Sequence, residues 1–198
     1  CYSDIEIKPI SQRKYDFTFI GQIPHTGTRD CFKRGLDNLL EEAGDKFKYR
    51  IEFTDGFSQG LEAREYMELL ADSKLSLCPG GAHSMETFRF FESTIMGAIP
   101  VVDRLPKFWH YEEASFFKGP WNDLDNTLSK SLNFLQRGEC RGLLEGLAVY
   151  NNKVMDVDNL AFKMKSVVNQ RHQNLEPSRE YLQQLRKFLK NELDSDQL

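Results

Sequence analysis

Between Asp16 and Asp103 the hydrophobic period of the chain keeps switching, and no other feature limits its possible folds more. "DFTFIG" (Asp16 to Gly21) and "KYRIEFTDG" (Lys48 to Gly56) alternate polar and apolar residues and end on glycine, as strands do. Between them, "TRDCFKRGLDNLLEEAG" carries Phe32, Leu36, Leu39 and Leu40 at helical spacing, with Thr28 as a candidate cap and Gly44 as a stop. The pattern continues with a helix in "LEAREYMELLADS", a strand in "KLSLCP", a helix in "SMETFRFFESTIMG" and a short strand in "AIPVVD". Strand and helix in alternation predict a parallel sheet with helices on its faces, because parallel neighbours need a long crossover. The expected fold class is therefore α/β, a Rossmann-like parallel sheet flanked by helices, with a helical C-terminal extension.

Beyond Asp103 the signal loosens. "RLPKFWHYEEASFFKGPW" reads as an aromatic loop with one more short strand at "ASFFK", and "DLDNTLSKSLNFLQRG" as a helix capped by Asp123 or Asp125. Further helices are expected around "LLEGLAVYNNKVM", "NLAFKMKSVVNQ" and "SREYLQQLRKFLKNEL", the last with a stripe from Tyr181 to Leu193. The expected organisation is a lead-in over residues 1–15, a Rossmann-like domain over 16–155 and C-terminal helices over 156–198.

Composition excludes several classes of partner. The 198 residues are 40% hydrophobic with fifteen phenylalanines, enough for a substantial core. A net charge of −4, with no lysine or arginine block longer than a pair, argues against a nucleic-acid polymer or an anionic membrane surface. No apolar run approaches the roughly 20 residues that span a bilayer. Four scattered cysteines and four scattered histidines form no metal-ligand spacing, so no metal site is expected from this chain. The opening "CYSDIEIKPI" has neither an initiator methionine nor a signal peptide, which points to a piece of a longer chain.

One residue resists the pattern. At about 100° per residue, Met85, Phe88, Phe91, Ile95 and Met96 share one arc of the "SMETFRFFESTIMG" helix, and Glu92 falls inside it with Arg89 at the margin. A carboxylate in an apolar arc is either paired or functional. Arg89 and Glu92 stand three apart and could pair with each other. The functional alternative comes from position. "CPGGAHS" lies beyond the carboxyl end of a strand, where open α/β sheets bind ligands. Gly80 and Gly81 allow a tight turn, Ser84 can cap, and the helix N-terminus attracts anions. Arg89 could then hold a phosphate, and Glu92 could accept hydrogen bonds from a ribose diol.

"KLSLCPGGAHSMETFRFFESTIMGAIPVV", with a looser match upstream at "FTFIGQIPHTGTR", resembles the signature of exostosin-like glycosyltransferases: Leu-Cys-Pro, a glycine loop, a Ser/Thr-x-Arg-x-x-Glu helix, then Gly-Ala-Ile-Pro-Val. The resemblance covers roughly Asp16 to Val102. It implies the C-terminal, donor-binding half of a GT-B enzyme, acting on a nucleoside-diphosphate sugar (a UDP-sugar is the leading expectation) without cofactor or metal. Carried over, it implies donor phosphate contacts from Arg29, Gly81, His83, Ser84 and Arg89, and a ribose contact from Glu92. Ser84, eight residues before Glu92, breaks the E-x7-E pair of many retaining enzymes, so an inverting displacement is expected. The acceptor half, which commonly supplies the general base, would come from a partner domain or subunit, and no catalytic residue is assigned.

Other candidates at the same sheet edge are Asp55 in "TDG" and Asp103 after "AIPVV", as sugar or base contacts. His25 is a weaker one. Two function classes remain open at this point: a glycosyltransferase donor domain acting towards a saccharide acceptor, and a non-catalytic nucleotide-binding or scaffold module. The expected location is the Golgi lumen for a eukaryotic chain and the cytoplasm for a microbial or viral one.

Overall fold

A computed structural model of the chain describes residues 4–23, 29–56, 60–81, 87–105, 114–137 and 141–154. The chain divides into two compact units, Cys1–Asn152 and Lys153–Leu198. The helices expected around "NLAFKMKSVVNQ" and "SREYLQQLRKFLKNEL" lie outside the described residues.

The first unit is built on a five-stranded sheet: β1 (Tyr15–Gly21), β2 (Tyr49–Phe53), β3 (Ser73–Leu77), β4 (Ile99–Val102) and β5 (Phe117–Lys118), in the order β2-β1-β3-β4-β5. Every pairing is parallel, with Phe17 opposite both Tyr49 and Leu75, Leu75 opposite Ile99, and Val101 opposite Phe117. The connecting helices are α1 (Arg29–Glu42), α2 (Ala63–Ala71) and α3 (Phe88–Ile95), followed by α4 (Leu124–Gln136) and α5 (Arg141–Val154). The expected Rossmann-like α/β class is what the chain adopts.

The helices separate onto two faces because parallel crossovers are right-handed. The walk from β1 out to β2 puts α1 on one face, and the walk back past β1 to β3 puts α2 on the other. On the first face Phe17, Phe19, Leu75, Leu77, Ile99 and Val101 meet α1 through Phe32, Leu36 and Leu39, and α4 through Leu124, Leu128, Leu132 and Leu135. Aromatic rings run through this layer: Phe19 to Phe32 at 4.8 Å, and Phe32 edge-on to Trp121 at 4.9 Å. On the second face the cluster is smaller, with Leu70, Ala71, Met96 and Ala98 packed by Tyr66 and Met67.

The lead-in is tied to this second layer by Arg13. Its buried guanidinium donates to the backbone carbonyls of Lys8 (2.9 Å), Ser73 (3.0 Å) and Gly97 (2.6 Å). Burial brings its pKa down to about 10, which still leaves it charged. Gly97, at φ 72°, ends α3 in the left-handed conformation that glycine adopts without a Cβ penalty.

The apolar arc expected on α3 is corrected by the structure. Phe88 is 71% exposed and Ile95 44%, whereas the buried residues are Phe90, Ser93 and Thr94. Ser93 and Thr94 can be buried because their hydroxyls are already satisfied within the helix. Ser93 donates to the carbonyl of Arg89 at 2.5 Å and Thr94 to that of Phe91 at 2.8 Å. The helix also starts later than expected, at Phe88, since Thr87 is extended.

Gly35 tests the packing of α1. A Cβ there would stand 1.8 Å from the backbone oxygen of Trp121, an atom that cannot swing aside. Glycine-to-alanine in an exposed helix gains up to about 1 kcal/mol. Gly35→Ala is expected to do the reverse and cost about 1–3 kcal/mol, read from the midpoint of urea unfolding. An unchanged or higher midpoint would contradict this packing.

Candidate functional site

After β1 the chain turns towards α1 on one face, and after β3 it leads towards α3 on the other, so the two loops part and leave a crevice at the carboxyl ends of the strands. A cavity of about 300 Å³ lies there, lined by Gly21 and Gln22 after β1, Arg29 at the start of α1, Tyr66 of α2, and Arg89 and Glu92 of α3.

Arg89 is the most constrained of these. Its Nη2 donates to the carbonyl of Ile20 at 2.5 Å, and its Cζ stands 4.6 Å from the centre of the Phe19 ring, a cation–π contact. Gly21 makes room for it, since a Cβ at that position would lie 2.2 Å from Nη2. The other two nitrogens, Nε and Nη1, are buried without a hydrogen-bond partner among the described residues. Buried donors left unmade are costly, and since both nitrogens are shut off from the cavity, what the guanidinium offers an anion there is its charge.

Arg29 comes from the opposite side of the parting loops. Nε donates to the carbonyl of Gly80 at 2.8 Å and Nη1 to that of Gln22, so the side chain pins the loop after β3 to the end of β1. Nη2 and the second N–H of Nη1 are left to turn towards a ligand. Burial, and next the positive charge of Arg89, hold its pKa below the usual arginine value. Two guanidinium groups that repel each other across a cavity are relieved by a negative guest.

Glu92 does not pair with Arg89, whose Nε and Nη1 remain free of hydrogen bonds. Burial pushes the Glu92 carboxyl above the usual carboxylate range, opposed by the charge of Arg89 and by the neighbouring Tyr66. Cys78, buried after β3 with Sγ 3.8 Å from Ser93 Oγ, has its thiol pushed up to about 11 by burial, so it stays a neutral core group.

Of the sequence candidates, Arg29, Arg89 and Glu92 are brought together around one cavity. Gly81 is half-buried in the loop after β3 but does not line the cavity. Asp55 is exposed; its neighbours Thr54 and Gly56 face the cavity, and its carbonyl accepts from Gln22 Nε2 at 3.1 Å. Asp103 ends β4 away from the cavity and pairs with Arg104 at 3.2 Å. His25, His83 and Ser84 lie outside the described residues. Tyr66 of α2 was not among the candidates; it packs against the second-layer cluster and also lines the cavity. Among the described residues no group of three or more His, Cys, Asp or Glu is gathered as for a metal, and no helix is long and apolar enough to cross a membrane.

The chain is an all-parallel α/β domain with a crevice at its switch point, the place where open sheets of this class hold their ligands. The model of the RXYLT1 C-terminal domain matches residues 2–115, more than half of the chain. The chain belongs to that family, a xylosyltransferase family related to exostosin-like glycosyltransferases. No curated protein matches the chain. The matched span contains every residue that lines the cavity.

The Gly21 contact makes the arginine geometry testable. Gly21→Ala is expected to drive the Arg89 guanidinium off the Ile20 carbonyl and Phe19 ring, lowering stability by about 1–2 kcal/mol. The displacement reads out as a shifted Arg89 Nε resonance in NMR spectra of the folded variant. An unshifted resonance would mean the guanidinium does not depend on the missing side chain.

Proposed function

We propose that this chain is the donor-binding half of a GT-B glycosyltransferase, holding a nucleoside-diphosphate sugar, with a UDP-sugar as the leading donor, for transfer to a saccharide acceptor. The observation that carries this reading is the pair of guanidinium groups, Arg29 and Arg89, on one cavity at the strand ends, with Arg89 fixed by the Ile20 carbonyl and the Phe19 ring. A donor diphosphate would neutralise both. Arg29 Nη2 would add a second positive contact, and charge building on the departing diphosphate would meet guanidinium groups that need no reorganisation. A transfer so supported needs no divalent metal, and inversion at the anomeric carbon is the expected outcome. Glu92 would accept from the ribose hydroxyls. No base for the acceptor hydroxyl is assigned, and a partner domain or subunit would supply it.

Calorimetric titration with UDP, GDP, CMP and dTDP tests the reading. UDP is expected to bind, with a loss of tenfold or more in Arg89→Ala and Glu92→Ala while both remain folded. Failure of every nucleotide to bind the folded parent chain would sink the donor reading and leave a non-catalytic module.

Glu92 should set binding and stability against each other. Its folded pKa is raised, so the folded chain keeps this proton to higher pH than the unfolded chain does. The contribution of Glu92 to stability is therefore present at low pH and lost as pH rises through the raised folded value. Glu92→Gln is expected to unfold at a higher temperature than the parent at pH 7, to lose that advantage below the ordinary carboxylate pKa, and to bind UDP more weakly. Thermal scans at pH 4 and pH 7 check it; a variant less stable than the parent at pH 7 would contradict the buried cost of the carboxylate.

A further inference from the structure

Among the described residues the sheet ends at β2, with no strand beyond it. The backbone groups of Arg50 and Thr54 face inward to β1: the Arg50 carbonyl accepts from Thr18 Oγ1 at 2.9 Å, and the Thr54 N–H donates to the Gly21 carbonyl at 3.2 Å. Backbone groups alternate sides along a strand, so the N–H and C=O of Tyr49, Ile51 and Phe53 point outward. An open row of this kind is a template for another strand. The side chains sort by the same alternation. Tyr49, Ile51 and Phe53 share the α1 face: the Tyr49 ring stacks on Phe17 at 5.4 Å, Ile51 packs against the core of that layer, and Phe53 stands 6.2 Å from Phe19. Yet Tyr49 is 38% exposed and Phe53 47%, the latter with Lys33 Nζ 5.2 Å from its ring centre. On the opposite face Arg50 and Glu52 pair with each other at 3.2 Å, both partly exposed. A guard against self-pairing would set like charges against each other. Arg50 and Glu52 can do the opposite.

One register does so. When two copies pair antiparallel about a twofold axis at Ile51, position 51 meets 51, 49 meets 53 and 50 meets 52. Residues 49, 51 and 53 then meet as hydrogen-bonded pairs, with about six backbone bonds between the outward-facing groups. Arg50 of each copy lies opposite Glu52 of the other, in the positions where side chains come closest, so opposite charges attract on both sides of the axis. On the α1 face Tyr49 meets Phe53 on either side of the two Ile51 side chains, which gives the half-exposed rings a cover. Sliding by two residues puts Arg50 against Arg50 or Glu52 against Glu52, and sliding by one sets outward backbone against inward. We propose that β2 is a homodimer interface through which two copies of this chain join their sheets, antiparallel across the twofold. The occupant is a second copy because the edge complements itself in charge, backbone and apolar side chains at one and the same register. Strands run in opposite directions across the axis, so the two crevices open at opposite ends of the joined sheet. The interface does not rest on the donor reading; it gives the segment after β2, whose Thr54 and Gly56 line the cavity, a strand held on both sides.

Analytical ultracentrifugation of the 198-residue chain tests it. The average mass is expected to climb from 23.0 kDa towards twice that as concentration rises through the micromolar range, and the Ile51 amide to gain protection from hydrogen exchange in step. Arg50→Glu and Glu52→Arg, each alone, set like charges across the axis, and each is expected to weaken association by about tenfold or more. Both side chains are partly exposed, so the fold should survive either change. An equimolar mixture of the two variants restores opposite charges at every pair, and the double variant Arg50→Glu/Glu52→Arg does the same within one chain. Both are expected to associate within about threefold of the parent. A parent that stays monomeric, single variants that associate as the parent does, or a mixture that stays monomeric would each overturn the proposal. So would an Ile51 amide equally protected at every concentration, since a segment of the chain itself would then cover the edge.

Discussion

Right-handed crossovers leave a parallel sheet no freedom in where its helices go, and the reversal of winding at β1 follows from that alone. The chain steps outward to β2 and then back across β1 to β3, so α1 and α2 must cover opposite faces. Between the loops that depart to opposite faces no backbone can fill the space. The cavity is thus a consequence of strand order, and the side chains around it are those that happen to follow β1, β2 and β3.

What occupies that space is held at a cost. Arg89 has two nitrogens buried without partners, and Glu92 is a carboxylate in surroundings that resist its charge. Two cations, Arg29 and Arg89, stand close enough for one to depress the pKa of the other. A region selected only for stability would have paired these groups with each other. On the proposed function the reason for leaving them unpaired is a sugar donor, which carries both an anion and hydroxyls.

The α/β class was legible because strand and helix periods differ by nearly a factor of two, and six changes of period within about ninety residues admit few alternatives. Glu92 was legible as an anomaly, a charge in an apolar arc. The arc itself misled. Phe88 and Ile95 look like core by hydropathy, yet Phe90, Ser93 and Thr94 are the buried residues, the two hydroxyls bonded to their own helix. Hydropathy ranks residues by transfer energy and knows nothing of the distance to the next layer. Likewise nothing local in the sequence of α2 says that Tyr66 lines the same cavity as Glu92, 26 positions away.

The sequence by itself determined the alternation of elements, the glycines at their ends and the charge anomaly on α3, since each depends on neighbours within a few residues. Tertiary structure alone decided strand order, and with it that Arg29, Tyr66, Arg89 and Glu92 face one cavity. It also decided that Gly21 must lack a side chain, because the atom it avoids is the guanidinium of Arg89, which contacts β1 only once the sheet has formed. Contacts between residues far apart in the chain are made by the packing of layers, and no local period records them.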